Sequence, residues 1–179
     1  MYFDKPGKEN TEKTVELALQ TAKERGINYI LIASSSGASA ELLVGKGPQI
    51  ICITHVNGFR EPGKMTITKE MKDKLEAGGA KILTASHVLS GAERGISRTF
   101  GGAYPVEIMA HTLRMLSQGV KVCVEISVMA LDAGLIPFGE KVIAIGGTGQ
   151  GVDTASIVTP SHAQSIFDTK INEIICKPR

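Results

Sequence analysis

The sequence predicts an α/β fold, a three-layer sandwich in which helices cover both faces of a mostly parallel sheet. Short apolar runs recur along the chain, and amphipathic helical stretches alternate with them, which is the pattern of such a sheet. Aromatic residues are scarce, at 4% with no Trp, so the core is left to Ile, Val, Leu and Ala, as suits strands buried on both faces.

The elements follow in order. Residues 10–25 place Val15, Leu17, Ala18, Leu19 and Ala22 near the helical period, with Asn10 as N-cap, Glu12 in the first turn and Gly26 closing the end. The short apolar run 27–33 reads as a buried strand. A loop of Ser34, Ser35, Ser36, Gly37, Ala38 and Ser39 then leads into a short helix over 40–44. Residues 49–54 form a second strand, 55–66 a polar connection, 68–77 a helix and 81–84 a third strand. From 85 to 103 there is little regular pattern, but Gly, Ser and Arg abound, and an irregular stretch of that length is usually functional or disordered. Residues 104–117 read as a helix with Pro105 in its first turn. The run 120–133 fits both an alternating strand and a helix; its length favours the helix, with Gly134 as the stop. Residues 141–145, 154–159 and 171–176 supply three more strands, the first two separated by a Gly-rich loop over 146–151.

At 179 residues the chain has the size of one domain, taken as residues 1–179, long enough to bury a core without staples. Charged residues make up 21% and the net charge is +2, so there is no basic excess for nucleic acid. The longest apolar run, 120–135, is interrupted by Lys121, Glu125 and Asp132 and falls short of the roughly 18 uninterrupted apolar residues of a membrane span. Residues 1–9 are polar without an export signal, so the cytoplasm is the expected compartment. Cys52, Cys123 and Cys176 are far apart and set in apolar runs, which predicts buried free thiols rather than a disulfide framework or zinc site.

In an open α/β sheet, ligands bind outside the carboxyl ends of the strands. Both small-residue loops leave a strand at that end. The first offers four hydroxyls and several backbone N–H groups before a helix, a setting for a phosphate as well as for a plain helix cap. The second, with Gly146, Gly147, Thr148 and Gly149, is neither a P-loop nor a dinucleotide fingerprint, since no Gly-Lys-Ser/Thr follows and a strand comes next. Its glycines permit close approach of backbone to ligand, with Asp153 and Thr154 as polar readers, or they make a flexible hairpin connection. Thr54, at the end of the second strand, joins the same edge. Between the loops, His87, Glu93, Arg94 and Arg98 lie among glycines; the two arginines suit bidentate gripping of an anion, or the segment is a solvated loop. Glu125 and Asp132 interrupt an apolar helix, so one of them faces the cleft or pairs with a cation, or both are simply solvated. The four histidines are scattered without zinc spacing, so no metal is expected.

With both loops placed, residues 10–54 and 133–158 resemble the C-terminal domain of pyruvate kinase. Ser36-Gly37-Ala38-Ser39-Ala40 matches the Thr/Ser-Gly-x-Ser-Ala loop that holds an effector phosphate there, and Gly134 to Val142 carries a Gly-Leu-Ile-Pro-x-Gly-x-x-Val pattern. Where the kinase commonly has Arg or Lys in the first loop, this chain has Ala38, which removes a charged contact to a sugar bisphosphate. The catalytic barrel has no counterpart in this sequence, so the resemblance implies a stand-alone domain rather than a pyruvate kinase. Likeness to flavin-holding members implies FMN as the ligand. The ribityl phosphate would lie on Ser34 to Ser39, and Gly146 to Gly149 with the segment 85–103 would flank the ring. The expected partner is thus a phosphorylated small molecule, with no nucleic acid and no membrane. An enzyme acting on a phosphorylated metabolite, with His87, Glu93 or Glu125 as proton carrier, an effector-binding regulatory module and a homo-oligomer all stay open.

Overall fold

A computed structural model describes residues 1–179. Seven strands, β1 (Tyr2–Phe3), β2 (Tyr29–Ala33), β3 (Gln49–Ile53), β4 (Lys81–Leu83), β5 (Val142–Gly146), β6 (Thr154–Thr159) and β7 (Lys170–Pro178), form one sheet in the order β1-β7-β6-β5-β2-β3-β4. The helices are α1 (Thr11–Arg25), α2 (Ala38–Glu41), α3 (Lys69–Ala77), α4 (Gly91–Phe100), α5 (Pro105–Arg114) and α6 (Gln118–Asp132).

Alternation along the strands sorts the core into two layers, because successive side chains point to opposite faces. Ile30, Ile32, Ile50, Cys52, Ile143 and Ile145 share one face with Val15, Ala18 and Ala22 of α1 and Leu75 of α3. Leu31, Ile51, Ile53, Val142 and Ala144 face the other way, onto Cys123, Ile126, Met129 and Ala130 of α6. The register is in step across the centre: Ile30 pairs with Ile50 on one side and Ile143 on the other.

The strands pair in parallel from β5 through β2 and β3 to β4, and at the far edge between β1 and β7. Around β6 the sheet turns antiparallel. A parallel neighbour needs a crossover of a dozen or more residues, and the link between Gly146 and Thr154 is too short for one. The Gly-rich loop is therefore a hairpin connection at the carboxyl end of β5.

Two elements depart from the sequence expectation. The segment 85–103, expected to be irregular, contains the ten-residue α4. No residue of α4 is buried; Ala92, Ile96 and Phe100 do recur at helical spacing, but Gly91, Gly95 and Gly101 among them obscure the signal. It is held instead by side chains: the Glu93 carboxylate accepts the Glu107 N–H in the first turn of α5, and Ser97 donates to the Glu107 carboxylate. The second is β1, a two-residue edge strand too short for alternation to mark.

All three cysteines are buried and free. Burial pushes the Cys52 thiol up to about 12 and raises Cys123 and Cys176 as well, so they are protonated core groups.

Candidate functional site

At the carboxyl ends of β2, β3 and β5 lies a cleft of about 890 Å³. Its walls come from both small-residue loops, the connections after β3 and β4, and the first turns of α6.

Ser34, Ser35, Ser36, Ala38 and Ser39 form one wall. The backbone of this loop is fastened: Ser34 N–H donates to the Ile53 carbonyl at 3.0 Å and Thr66 Oγ1 donates to the Ser35 carbonyl at 2.9 Å. Gly37 makes the turn at φ 87° with its α-carbon against α3, where a Cβ would stand 2.5 Å from Met71 Cγ. Only glycine suits that position. None of the four serine hydroxyls donates to or accepts from another protein group, so all four are available to a ligand while the backbone beneath them is held.

Gly147, Gly149 and Gly151 also line the cleft, whereas Gly146 and Thr148 do not reach it. Gly147 has no room for a side chain, since a Cβ would meet the Gly151 carbonyl at 2.6 Å. Asp153 is fully buried away from the cleft: its Oδ2 accepts the Gly7 N–H and its Oδ1 the Thr154 hydroxyl. It ties the N-terminal segment to β6, a structural task rather than a polar reader's. Thr54 lines the cleft with its hydroxyl 2.6 Å from that of Thr84. His87 and Arg94 are on the wall; Arg98, one turn along α4, is not. Glu93 is occupied in holding α5.

The floor carries groups that sequence reasoning left apart. On α6, Lys121 Nζ donates to Glu125 Oε2 at 2.6 Å, both side chains being only 6% exposed. Glu125 Oε1 accepts the Leu89 N–H at 3.1 Å, which anchors the β4–α4 connection. Beside them His55 stacks on Phe59 with ring centroids 3.8 Å apart, and the His87 ring lies 5.8 Å from each. His55 Nδ1 is buried without a protein partner. Burial pushes the His87 imidazole below its usual range; the Glu125 charge opposes this, while Lys121 and Arg94 deepen it. Burial, then His87 and Arg60, do the same to His55. Both rings are therefore neutral near pH 7. Burial also lowers Lys121, against the charge and hydrogen bond of Glu125, and Arg114 and Arg94 add to the lowering.

Charge is lopsided across the walls, where Lys8, Arg60, Lys64, Arg94, Arg114 and Lys121 face only Glu61, Glu107 and Glu125. Such a concave, positively charged site concentrates anions. The sequence model of the pyruvate kinase alpha/beta domain matches residues 12–158, a span that holds both loops, His55, His87 and α6. The chain belongs to this family. A pyruvate kinase from Cryptosporidium parvum aligns at 16% identity over 82% of this chain and 22% of its own, with a TM-score of 0.43. The Cryptosporidium parvum pyruvate kinase in complex with ADP aligns at 17% identity over 87% of this chain and 24% of its own, with a TM-score of 0.45. The chain thus spans under a quarter of the length of either. No helix is long and apolar enough to cross a membrane.

Asp132, the other acid that interrupts α6, lies at the far end of the helix. It pairs there with His162 at 2.7 Å and accepts the Ala163 N–H. Lys121 was the missed member of the site. Its signal was present in the sequence as a lysine four residues before Glu125 in an otherwise apolar helix. The His55–Phe59–His87 cluster had no such signal, because its members come from two separate connections.

Proposed function

We propose that the cleft binds a phosphorylated small molecule, with its phosphate on the loop from Ser34 to Ser39 and FMN as the specific ligand. The observation that carries this reading is the set of four uncommitted hydroxyls on a fastened loop, in a cleft where basic side chains outnumber acidic ones. Hydroxyls and backbone N–H groups held in place bind an oxyanion without the cost of ordering them first. The glycines at 147, 149 and 151 let a ligand approach the backbone of the neighbouring loop. The rings of His55, Phe59 and His87, which follow β3 and β4 and so lie beyond the Ser-rich loop, offer a planar ligand ring an aromatic wall of the same cleft.

An absorption spectrum of freshly purified protein, with mass spectrometry of what heat releases, tests the reading. Flavin bands and the mass of FMN are expected. Release of a different phosphorylated compound removes FMN and keeps the phosphate site. A colourless protein that releases no phosphorylated compound and takes up neither FMN nor inorganic phosphate overturns the whole reading.

The buried Lys121–Glu125 pair and the neutral His87 beside it favour a second reading, an enzyme acting on a phosphorylated metabolite with His87 as the proton carrier. Turnover of a phosphorylated substrate that His87→Gln abolishes without changing the melting temperature would support it.

A further inference from the structure

We propose that the first turns of α6 carry a second oxyanion site, separate from the Ser-rich loop, in which Lys121, Arg114 and Arg94 hold a carboxylate or phosphate group. The inference rests on the cleft as the binding site and not on FMN as its occupant.

A lysine ammonium has three donors. Glu125 takes one of those of Lys121, at 2.6 Å, and no other protein group takes either of the remaining two. Lys121 is nonetheless buried, 5% exposed, on a wall of the cleft. The other oxygen of Glu125 accepts the Leu89 N–H at 3.1 Å, so one carboxylate serves both the lysine and the β4–α4 connection. Arg114 is held by one nitrogen only, its Nε donating to Gln118 Oε1 at 2.7 Å, and the Arg94 side chain has no hydrogen-bonding or ionic partner in the fold. Both guanidinium groups line the same cleft as Lys121, and their charges weigh against its own. One carboxylate is thus set among three cations, and bringing in an anion relieves the repulsion between them.

A ligand that spans the cleft would carry a phosphate at one end and an acidic group at the other. With FMN on the Ser-rich loop, the acidic group would belong to a co-substrate.

Crystals soaked in selenate, a tetrahedral dianion located by its anomalous signal, provide the test. Two peaks are expected in the unaltered protein, one at the Ser-rich loop and one within hydrogen-bond reach of Lys121 Nζ. Lys121→Met alone strands the Glu125 carboxylate and endangers the fold. The double variant Lys121→Met/Glu125→Gln keeps the acceptor for Leu89, and Arg94→Gln leaves the buried pair intact. At least a tenfold loss of selenate affinity at the second peak is expected in the double variant and a smaller loss in Arg94→Gln, with the loop peak unchanged in both. A loop peak alone in the unaltered protein overturns this inference and spares the phosphate site. A peak at Lys121 alone does the reverse, and no peak at either position removes both. A second peak that persists after FMN is soaked in assigns the site to a co-substrate, whereas one that FMN displaces assigns it to the same ligand.

Discussion

Two fifteen-residue helices, α1 and α6, pack on opposite faces of the same central strands, and each carries a lysine paired with a glutamate one turn along. On α1 the Lys13–Glu16 pair is open to water, at 44% and 61% exposure. On α6 the Lys121–Glu125 pair is 6% exposed at both ends, because α5 and the connection through Leu89 cover the outer face of that helix. The spacing is nearly the same and the physics is not. Water screens the first pair and leaves it worth little, whereas the second has lost its hydration and depends on its partner and on Leu89. The contrast sets apart the α6 side, where the proposed site lies. Ion pairs of that kind are hard to explain by stability alone, since well-packed apolar residues do as well.

The sharpest way to break this comparison is to remove one member of the buried pair. Lys121→Met is expected to lower unfolding free energy by about 3–5 kcal/mol in urea titrations, and the double variant Lys121→Met/Glu125→Gln to recover most of the loss. A single variant that costs less than its counterpart on α1 would mean that the floor is wetter than its burial implies.

The closeness of α6 to the sheet gives the next largest effect. At Gly119 an added Cβ would stand 2.0 Å from Thr154 Oγ1, so Gly119→Ala is expected to cost about 1–3 kcal/mol by overpacking. At Gly26, which ends α1 at φ 63° with nothing near, Ala is expected to cost about 1 kcal/mol, from backbone strain alone. Thermal unfolding of the two variants compares a helix pressed onto the sheet with one that merely ends beside it.

Acidification separates the two sides more gently. His55 and His87 titrate below the unfolded value near 6.5, so between the two values the unfolded chain binds more protons than the folded one. Stability is therefore whole above about pH 6.5 and falls as pH drops toward the folded values. The melting temperature is expected to decline from pH 7 to pH 5, with a shallower slope in His55→Gln and His87→Gln. An unchanged slope would place both rings in ordinary solvent. The smallest effect belongs to α1, where Lys13→Met should stay within about 0.5 kcal/mol of the unaltered protein.

Much of this architecture was legible beforehand. The runs at β2, β3 and β5 were apolar enough to read as buried strands, and Gly26 and the Ser-rich loop marked where helix and strand end. The site was legible where it is local: Ser34 to Ser39 and the glycines after β5 are contiguous loops. It was illegible where it is assembled. Arg94 and Arg98 looked alike in the sequence, and the direction of one helical turn put the first on the cleft wall and the second off it. Asp153, next to the Gly-rich loop, read as a ligand contact and is fully buried beneath it.

The sequence by itself determined the α/β class, the places of the central strands and the two small-residue loops, because period, apolar run length and glycine placement are properties of neighbouring residues. Only the tertiary structure decided that α4 forms without a buried face, and that Lys121, His55, His87 and Arg114 meet in one cleft. Those outcomes depend on chain segments far apart in sequence. Burial and long-range charge, which strip water from Lys121 and hold both imidazoles neutral, exist only once the segments have come together.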